Sequence, residues 1–175
     1  MNQYLIITIL GNHAKNLPEK LSKAIHDNGG NIIDCRLSKM GEDLAGLLLV
    51  EGAWDAIAKV EALLPKLRTE LKLQIHSKRT EKNKSSIEAI PYGIDIVCSH
   101  RPGILYEISR FMTEHDIEIH DLYTNTHPAA QTETTMFTLH MAVNVPVASS
   151  ISSLRMEFMD FCDSLNLDAI MEPVK

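Results

Sequence analysis

The stretch "CSHRPGILYEIS", residues 98–109, combines residue types that could bind a small anion or carry out nucleophilic chemistry. Arg101, Pro102 and Gly103 stand where a strand-like run gives way to a helix-like one. Proline suits the first turn of a helix and glycine tolerates a bend, so the dipeptide could simply start the helix. Alternatively, Gly103 could leave the helix N-terminus uncovered, so that backbone N–H groups and the positive end of the dipole meet an anion. The dipeptide alone leaves both interpretations open.

Cys98 and His100 could act as a nucleophile and its base. Residues two apart on a strand lie on the same face, so the two side chains could meet. Nothing in the sequence orients the histidine, and the equivalent position in the first half of the chain is Gly11. A small cysteine and histidine enzyme is therefore kept only as an alternative.

Composition predicts a soluble globular protein, because 45% of the residues are hydrophobic and 23% are charged. No apolar run reaches the ~18 residues of a membrane span, and the start "MNQYLIITILGNH" lacks the basic region of a signal peptide. We therefore expect a cytoplasmic protein without a membrane partner. Seventeen Lys and Arg against 23 Asp and Glu give a net charge of −6, which disfavours direct binding of nucleic acid.

The three cysteines are Cys35, Cys98 and Cys162, and all lie far apart in apolar runs. This placement favours reduced, packed thiols over disulfides. The eight histidines are scattered, and no Cys-x-x-Cys or His-x-x-x-His spacing occurs. We therefore expect neither a metal site nor a cofactor.

An internal repeat organises the chain. An offset of 87 residues aligns "YLIITILGNHAKNLPEKLSKAIHDNGGNIIDC" with "PYGIDIVCSHRPGILYEISRFMTEHDIEIHDL" without a gap, pairing Ile7 with Ile94 and His13 with His100. Beyond about thirty residues the offset grows, because the second copy has "NTHPAAQTETT" where the first has "SKMGED". An insertion at that place is typical of a hairpin loop.

Each copy has the periodicity of a strand, a helix, two strands, a second helix and a last strand. In the first copy a strand at 4–10 precedes a helix with Leu17, Leu21 and Ile25 on one stripe, which the glycine-rich 28–30 should end. The remaining runs are 31–39, 44–52, 53–67 and 70–76 in the first copy, and 117–125, 135–143, 149–165 and 166–172 in the second.

The segment "SKRTEKNKSS", residues 77–86, has charges of both signs and no apolar period, as linkers do. The sequence thus predicts a first domain at 1–77, a linker at 78–88 and a second domain at 89–175. Each should be an α+β domain with the βαββαβ order of the ferredoxin-like fold, an antiparallel sheet with two helices on one face.

This topology hosts many functions, so function must come from the site. RNA-recognition domains share it, but they need aromatic side chains on the central strands, where this acidic chain offers little beyond Tyr4 and Phe137. A heavy-metal carrier of this topology would need paired cysteines in the first loop, and there are none.

The motifs "SHRPGIL" and "GGNIIDCRL" resemble the ACT domain, in which a first strand is followed by an Asp-Arg-Pro-Gly-like turn into the first helix and by a strand beginning Asn-Ile. With two such domains, the chain resembles the glycine cleavage system transcriptional repressor family over nearly all of its length. The resemblance implies a regulator without catalytic residues, which senses glycine or a similar small amino acid. It also implies action through a DNA-binding transcriptional activator as protein partner. A protein-interaction module with degenerate ligand sites remains an alternative.

The resemblance further implies which residues bind the effector. ACT domains tend to pair side by side and hold an amino acid at the seam, between the first turn of one domain and the second strand of the other, which also allows a homodimer. By motif position the implied residues are Asn12, His13 and Asn31 in the first copy, and Ser99, His100, Arg101, Pro102, Gly103, Ile104 and Glu118 in the second. Backbone N–H groups near Gly103 could receive the carboxylate, and Glu118 or Asn31 the ammonium.

The first copy departs from the motif. Histidine stands for the usual Asp of the turn in both copies, at His13 and His100, and either ring could simply bond the backbone. Arg-Pro-Gly is replaced in the first copy by Ala-Lys-Asn, where Asn16 and Glu19 have the spacing of a capping box. The second turn is therefore the better candidate. If Gly103 has ordinary helical dihedrals, a side chain there should cost the fold little.

Overall fold

The computed structural model describes residues 2–12, 15–81, 89–130, 134–147 and 149–174. The chain divides into two compact units, residues 1–84 and 85–175. Each has the βαββαβ order that the sequence predicts.

The first unit is a four-stranded antiparallel sheet with two helices. Its elements are β1 (Gln3–Asn12), α1 (Leu17–Asp27), β2 (Asn31–Met40), β3 (Asp43–Gly52), α2 (Trp54–Leu71) and β4 (Leu73–Thr80), and the sheet order is β2-β3-β1-β4. Buried and partly exposed residues alternate along β1, because one face of the sheet packs on the helices. The helix α1 ends before the glycine-rich 28–30, as predicted.

The second unit repeats this arrangement. Its elements are β5 (Ala89–Ser99), α3 (Ile104–Glu114), β6 (Glu118–Pro128), β7 (Thr135–Pro146), α4 (Ile151–Ser164) and β8 (Asp168–Pro173), in the sheet order β6-β7-β5-β8. Its core includes Ile96, Ile108, Leu139 and Phe158, each at most 1% exposed. The core of the first unit is a separate cluster that includes Leu5, Ile57 and Val60.

The two sheets share an irregularity that the repeat explains. The pairing register shifts between Ile32 and Asp34 in β2, and between Ile119 and Asp121 in β6. These positions are 87 residues apart, the offset of the sequence repeat. A bulge of this kind bends an edge strand and increases its twist, so both copies carry the same local distortion.

The boundary between α2 and β4 differs from the prediction. The sequence analysis begins the last strand of the first copy at residue 70, but α2 continues to Leu71 and β4 begins at Leu73. The buried stripe of Val60, Leu64 and Leu67 holds the helix against the sheet for another turn. Lys72 then ends the helix in the left-handed conformation.

The strand β4 runs to Thr80, past the predicted domain end at residue 77. Lys78 and Thr80 pair with β1, opposite Ile6 and Tyr4. Charged residues form a strand here because β4 is an edge strand, and Arg79 is fixed by donating hydrogen bonds of 3.0 and 2.6 Å to Glu61 of α2. Residues 82–88 of the predicted linker lie outside the described residues.

The hairpin loops are shorter than the sequence predicts. Only Gly41 and Glu42 separate β2 from β3, and residues 129–134 separate β6 from β7. The first four residues of "NTHPAAQTETT", 125–128, belong to β6, and the last, Thr135, begins β7. The longer second copy therefore partly extends its strands. The insertion lies where the sequence predicts it, but the connection between the strands is shorter than "NTHPAAQTETT".

Two local predictions need correction. Cys98 and Cys162 are buried, but Cys35 is exposed, because β2 is an edge strand that the helices leave largely uncovered. Asn16 is the N-cap residue of α1, but its side chain makes no capping hydrogen bond. Its φ of −94° and ψ of 8° are not the extended conformation that turns a cap side chain toward the helix, so the capping box does not form.

Candidate functional site

The turn between β5 and α3 is shaped by Gly103. This glycine is the N-cap residue of α3 and has φ 90° and ψ −8°, which only glycine adopts without strain. Gly103 therefore lacks the ordinary helical dihedrals under which a side chain there would cost the fold little. A Cβ built on Gly103 would meet no atom within 4 Å, so the space before the helix is open.

The first turn of α3 presents backbone donors to this open space. No side chain caps the helix, and the first bonded amide is that of Glu107, which donates to the Gly103 carbonyl at 3.0 Å. The N–H groups of residues 104–106 have no acceptor within the helix and can bond water or an anion. Ile104 contributes only its backbone, because its side chain is buried in the core.

Arg101 and Glu107 form an ion pair beside the helix N-terminus. The Arg101 Nη2 donates to the Glu107 Oε2 at 2.6 Å, and both side chains remain partly exposed. The hydrogen bond from Arg101 holds the pKa of Glu107 below its ordinary value, and the same bond raises the pKa of Arg101. Arg101 is therefore not a free surface charge.

Glu107 was missed by the sequence analysis. Its signal is a carboxylate in the first helical turn after Arg-Pro-Gly, six residues beyond Arg101. The first copy has Lys20 at the equivalent position, 87 residues earlier. The turn of the second unit thus combines a cation, a carboxylate and helix N–H groups, and these groups complement the two charges of an amino acid.

His100 and Ser99 complete the turn. The backbone N–H of His100 donates to the Thr135 carbonyl at 2.8 Å and extends the pairing of β5 with β7. The His100 ring lies 6.2 Å from the Phe137 ring, centroid to centroid. The backbone rather than the ring closes the turn, and both Ser99 and His100 are exposed. In the first unit, Asn12 is exposed at the end of β1, and His13 lies outside the described residues.

Glu118 and Asn31 lie at the other end of their sheets. Residues that lie opposite one another on neighbouring strands form a row across the sheet. Glu118 begins β6 and lies in the row of Asn144 and Pro91, and Pro91 is eight residues along β5 from Ser99. At ~3.3 Å per residue this separates Glu118 from the turn by about 26 Å within the second unit. Asn31 and Asn12 are separated in the same way in the first unit. Neither unit brings its predicted second-strand residue to its own turn.

Asn31 and Glu118 each form a hydrogen bond with a residue of the neighbouring strand. The asparagine stands on the second strand in the first unit and on the third strand in the second unit, and the glutamate takes the other place. The Asn31 side chain donates to Glu51 at 3.3 Å in the first unit. The Asn144 side chain donates to Glu118 at 3.2 Å in the second. The sequence analysis missed Glu51 and Asn144, because strand register is needed to find them.

The arrangement of Cys98 does not activate it as a nucleophile. The Cys98 side chain is 6% exposed, and burial raises the pKa of its thiol despite the opposing effect of Arg101. Within the described residues no hydrogen bond links Cys98 to His100. A protonated, buried thiol is a weak nucleophile.

Two further observations concern the described residues as a whole. No three His, Cys, Asp or Glu side chains come together among them as a metal site would require. None of their helices is long and apolar enough to cross a membrane.

Comparison with known proteins identifies the first unit. Residues 3–78 match the family model of the ACT domain. The first unit is thus similar to the ACT domain. The second unit has the same sheet order, so the prediction of two ferredoxin-like α+β domains is confirmed.

Over most of its length the chain resembles the glycine cleavage system transcriptional repressor of Escherichia coli (strain K12), with 25% identity over 163 residues, 93% of this chain and 86% of that protein. A crystal structure provisionally assigned as a glycine cleavage system transcriptional repressor covers 100% of this chain and 99% of its own, with a TM-score of 0.72 and 22% identity. An unknown protein from Galdieria sulphuraria covers all of both chains, with a TM-score of 0.77 and 19% identity. These structures share the fold of this chain.

Proposed function

We propose that this protein is an amino-acid-sensing transcriptional regulator that acts through a protein partner rather than by binding DNA itself. The likeness to the Escherichia coli repressor, over 93% of this chain, supports a regulatory ACT protein. The observation that carries the sensing part is the turn at residues 99–104, where Gly103 leaves the helix N-terminus open beside the Arg101 and Glu107 pair.

The turn suits a small zwitterion. The carboxylate of an amino acid would bond the free N–H groups of the first turn of α3, with Arg101 adding positive charge. The ammonium would bond the Glu107 carboxylate, which Arg101 already holds beside the helix N-terminus. Glycine has five non-hydrogen atoms, and a ceiling of ~1.5 kcal/mol per atom limits its dissociation constant to the micromolar range at best.

Glycine should raise the melting temperature of the protein. A ligand that binds only the folded state adds ~2.7 kcal/mol at a hundredfold excess over its dissociation constant. For a unit of this size each kcal/mol corresponds to about 4–8 °C, so the melting temperature of the second unit should rise by about 10 °C or more in a thermal-shift assay. Acetate, which lacks the ammonium, and glycinamide, which lacks the carboxylate, serve as matched controls and should give no comparable shift.

The same screen separates sensing from its alternative. If each of the twenty amino acids at millimolar concentration leaves the melting temperature unchanged, sensing by this chain is refuted. The alternative would then be an interaction module with degenerate ligand sites. A shift with acetate as large as that with glycine would mean simple anion binding at the helix N-terminus.

Purified protein should not bind promoter DNA by itself at physiological salt. Its net charge of −6 repels the phosphate backbone, so binding would need a local basic surface strong enough to overcome it. An electrophoretic mobility shift assay with and without a candidate DNA-binding activator tests this. A shift by this protein alone, with a steep dependence on salt, would contradict the partner-mediated route.

A catalytic role is not part of the proposal. The buried thiol of Cys98 and its raised pKa argue against the cysteine and histidine enzyme considered from the sequence. The relative to which the chain is similar is a repressor by name. Both observations favour a regulator over an enzyme.

A further inference from the structure

The outer face of the first sheet, which points away from α1 and α2, is apolar at its centre. Side chains alternate along each strand, so this face carries the residues between the buried ones. Leu10 is 44% exposed and Leu47 is 50% exposed. A concavity of about 590 Å³ lies on the face, lined mainly by Tyr4, Ile6, Ile33, Leu47 and Leu49, with charged side chains at its rim.

The second sheet exposes Tyr123, Val97 and Ile170 on its outer face, but it is more polar or smaller at the positions of Leu47, Ile6 and Leu49. The row that contains Leu47 in the first unit contains His140 in the second, where the ring hydrogen-bonds to Asp95 and stacks on Tyr123 with centroids 4.6 Å apart. The row of Ile6 and Leu49 is replaced by Gly93 and Ala142. The fold therefore does not require leucine and isoleucine at the centre of this face, and the apolar centre of the first unit is typical of an interaction surface.

We propose that the outer sheet face of the first unit packs against the same face of a second copy of this chain. Stacked sheets keep their strands within about 30° of each other, which leaves two ways to place a two-fold axis in the plane between the sheets. The two choices bring different residues together. The charges on the face distinguish them.

An axis parallel to the strands gives a complementary interface. It places β2 over β4 and β3 over β1 of the second copy. Asp34 and Lys78 lie at opposite ends of the row that contains Leu49 and Ile6, so Asp34 of each copy falls opposite Lys78 of the other. Leu49 falls opposite Ile6 in the same arrangement. Each copy thus contributes an apolar centre, and two ion pairs form across the interface.

An axis perpendicular to the strands gives a repulsive interface when it is centred on the row of Leu47. It places each strand over the same strand of the second copy, and the order of the rows along the strand is reversed. Through the central row of Leu47, it brings Arg36 opposite Arg36 of the other copy, and Glu51 opposite Asp43. Like charges at these positions oppose association. In the parallel arrangement Arg36, which lies 3.5 Å from Asp34 of its own copy, instead falls opposite His76.

The face is large enough for a specific interface. Four strands spaced ~4.8 Å apart and about ten residues long cover about 630 Å² per copy. The total of about 1,250 Å² exceeds the ~1,000 Å² that a specific interface needs, although it stays in the range of weaker assemblies. The proposed dimer is therefore expected to form in the micromolar range.

Sedimentation equilibrium on the full chain, from about 1 to about 100 µM, tests the dimer. We expect the mass to rise toward twice the 19.6 kDa of the chain. Leu10→Lys should raise the dissociation constant about tenfold or more, because it buries an unpaired charge. Val97→Lys is the matched control, since Val97 is the repeat equivalent of Leu10 and is 40% exposed, and it should change nothing. A monomer at all concentrations, or equal effects of the two variants, would overturn the proposal.

A charge exchange tests the orientation of the two copies. Asp34→Lys and Lys78→Asp should each weaken self-association, because each places like charges opposite one another twice. Mixing the two variants should restore association, since the introduced lysine of one then meets the introduced aspartate of the other, and the unchanged Lys78 meets the unchanged Asp34. The double variant should dimerise like the wild type. If neither the mixture nor the double variant recovers association, the proposed interface is wrong.

Discussion

Phe158→Ala is expected to lower the free energy of unfolding of the second unit by about 3–5 kcal/mol. The Phe158 side chain is 1% exposed, and its ring lies 5.3 Å from that of Phe111, centroid to centroid. Removing it leaves a cavity that the packed sheet and helices cannot fill. For a unit of this size each kcal/mol corresponds to about 4–8 °C, so its melting temperature should fall by at least about 12 °C.

Hydrogen exchange followed by mass spectrometry measures this effect unit by unit. Exchange should accelerate in peptides from α3 and β7 and stay unchanged in peptides from β1 and β3, because the two cores share no residue. Met156→Ala is the matched control in the same helix, since Met156 is 63% exposed, and it should change stability by no more than about 0.5 kcal/mol. Equal acceleration in both units would mean that they unfold as one.

Gly103→Ala is expected to abolish the stabilisation by glycine and to lower the stability of the second unit. At φ 90° a side chain is strained by about 1–3 kcal/mol, although the Cβ would meet no neighbouring atom. The added methyl group would occupy the space in front of the helix N–H groups, where the carboxylate is proposed to bind. The loss at a hundredfold excess of glycine would be the full ~2.7 kcal/mol.

Gly41→Ala separates backbone strain from ligand binding. Gly41 also has a positive φ, 63°, and its Cβ would likewise meet no atom within 4 Å, but it lies in the hairpin turn of the first unit. This variant should lose stability in the same way and keep the glycine-induced shift of the melting temperature. If Gly103→Ala keeps that shift in full, the turn at residues 99–104 is not the binding site.

The architecture could be predicted from the sequence because it depends on periodic patterns. The 87-residue offset predicts two similar units, and within each unit the spacing of apolar residues separates helices from strands. Glycine-rich 28–30 ends α1 where expected. The motif at residues 99–105 also predicts the place of the open helix N-terminus. Such features are local, so the residues that determine them stand next to one another in the chain.

Boundaries were less predictable where tertiary contacts overrule local patterns. Lys78, Arg79 and Thr80 have the composition of a linker, yet pairing with β1 and the bonds from Arg79 to Glu61 make them a strand. Cys35 stands in an apolar run, yet its position on an edge strand leaves it exposed. Composition cannot distinguish the end of this edge strand from a linker, because residues 77–80 include no buried side chain.

The tertiary structure alone decided how the candidate site is assembled. Gly103 adopts the left-handed conformation between β5 and α3, and Arg101 pairs with Glu107 beside it. Strand register places Glu118 about 26 Å from the turn. It also brings Leu47 and Leu49 beside Ile6 on one outer face, and His140 beside Asp95 on the other. These juxtapositions join residues distant in the chain, and antiparallel pairing fixes them only once the whole sheet has formed.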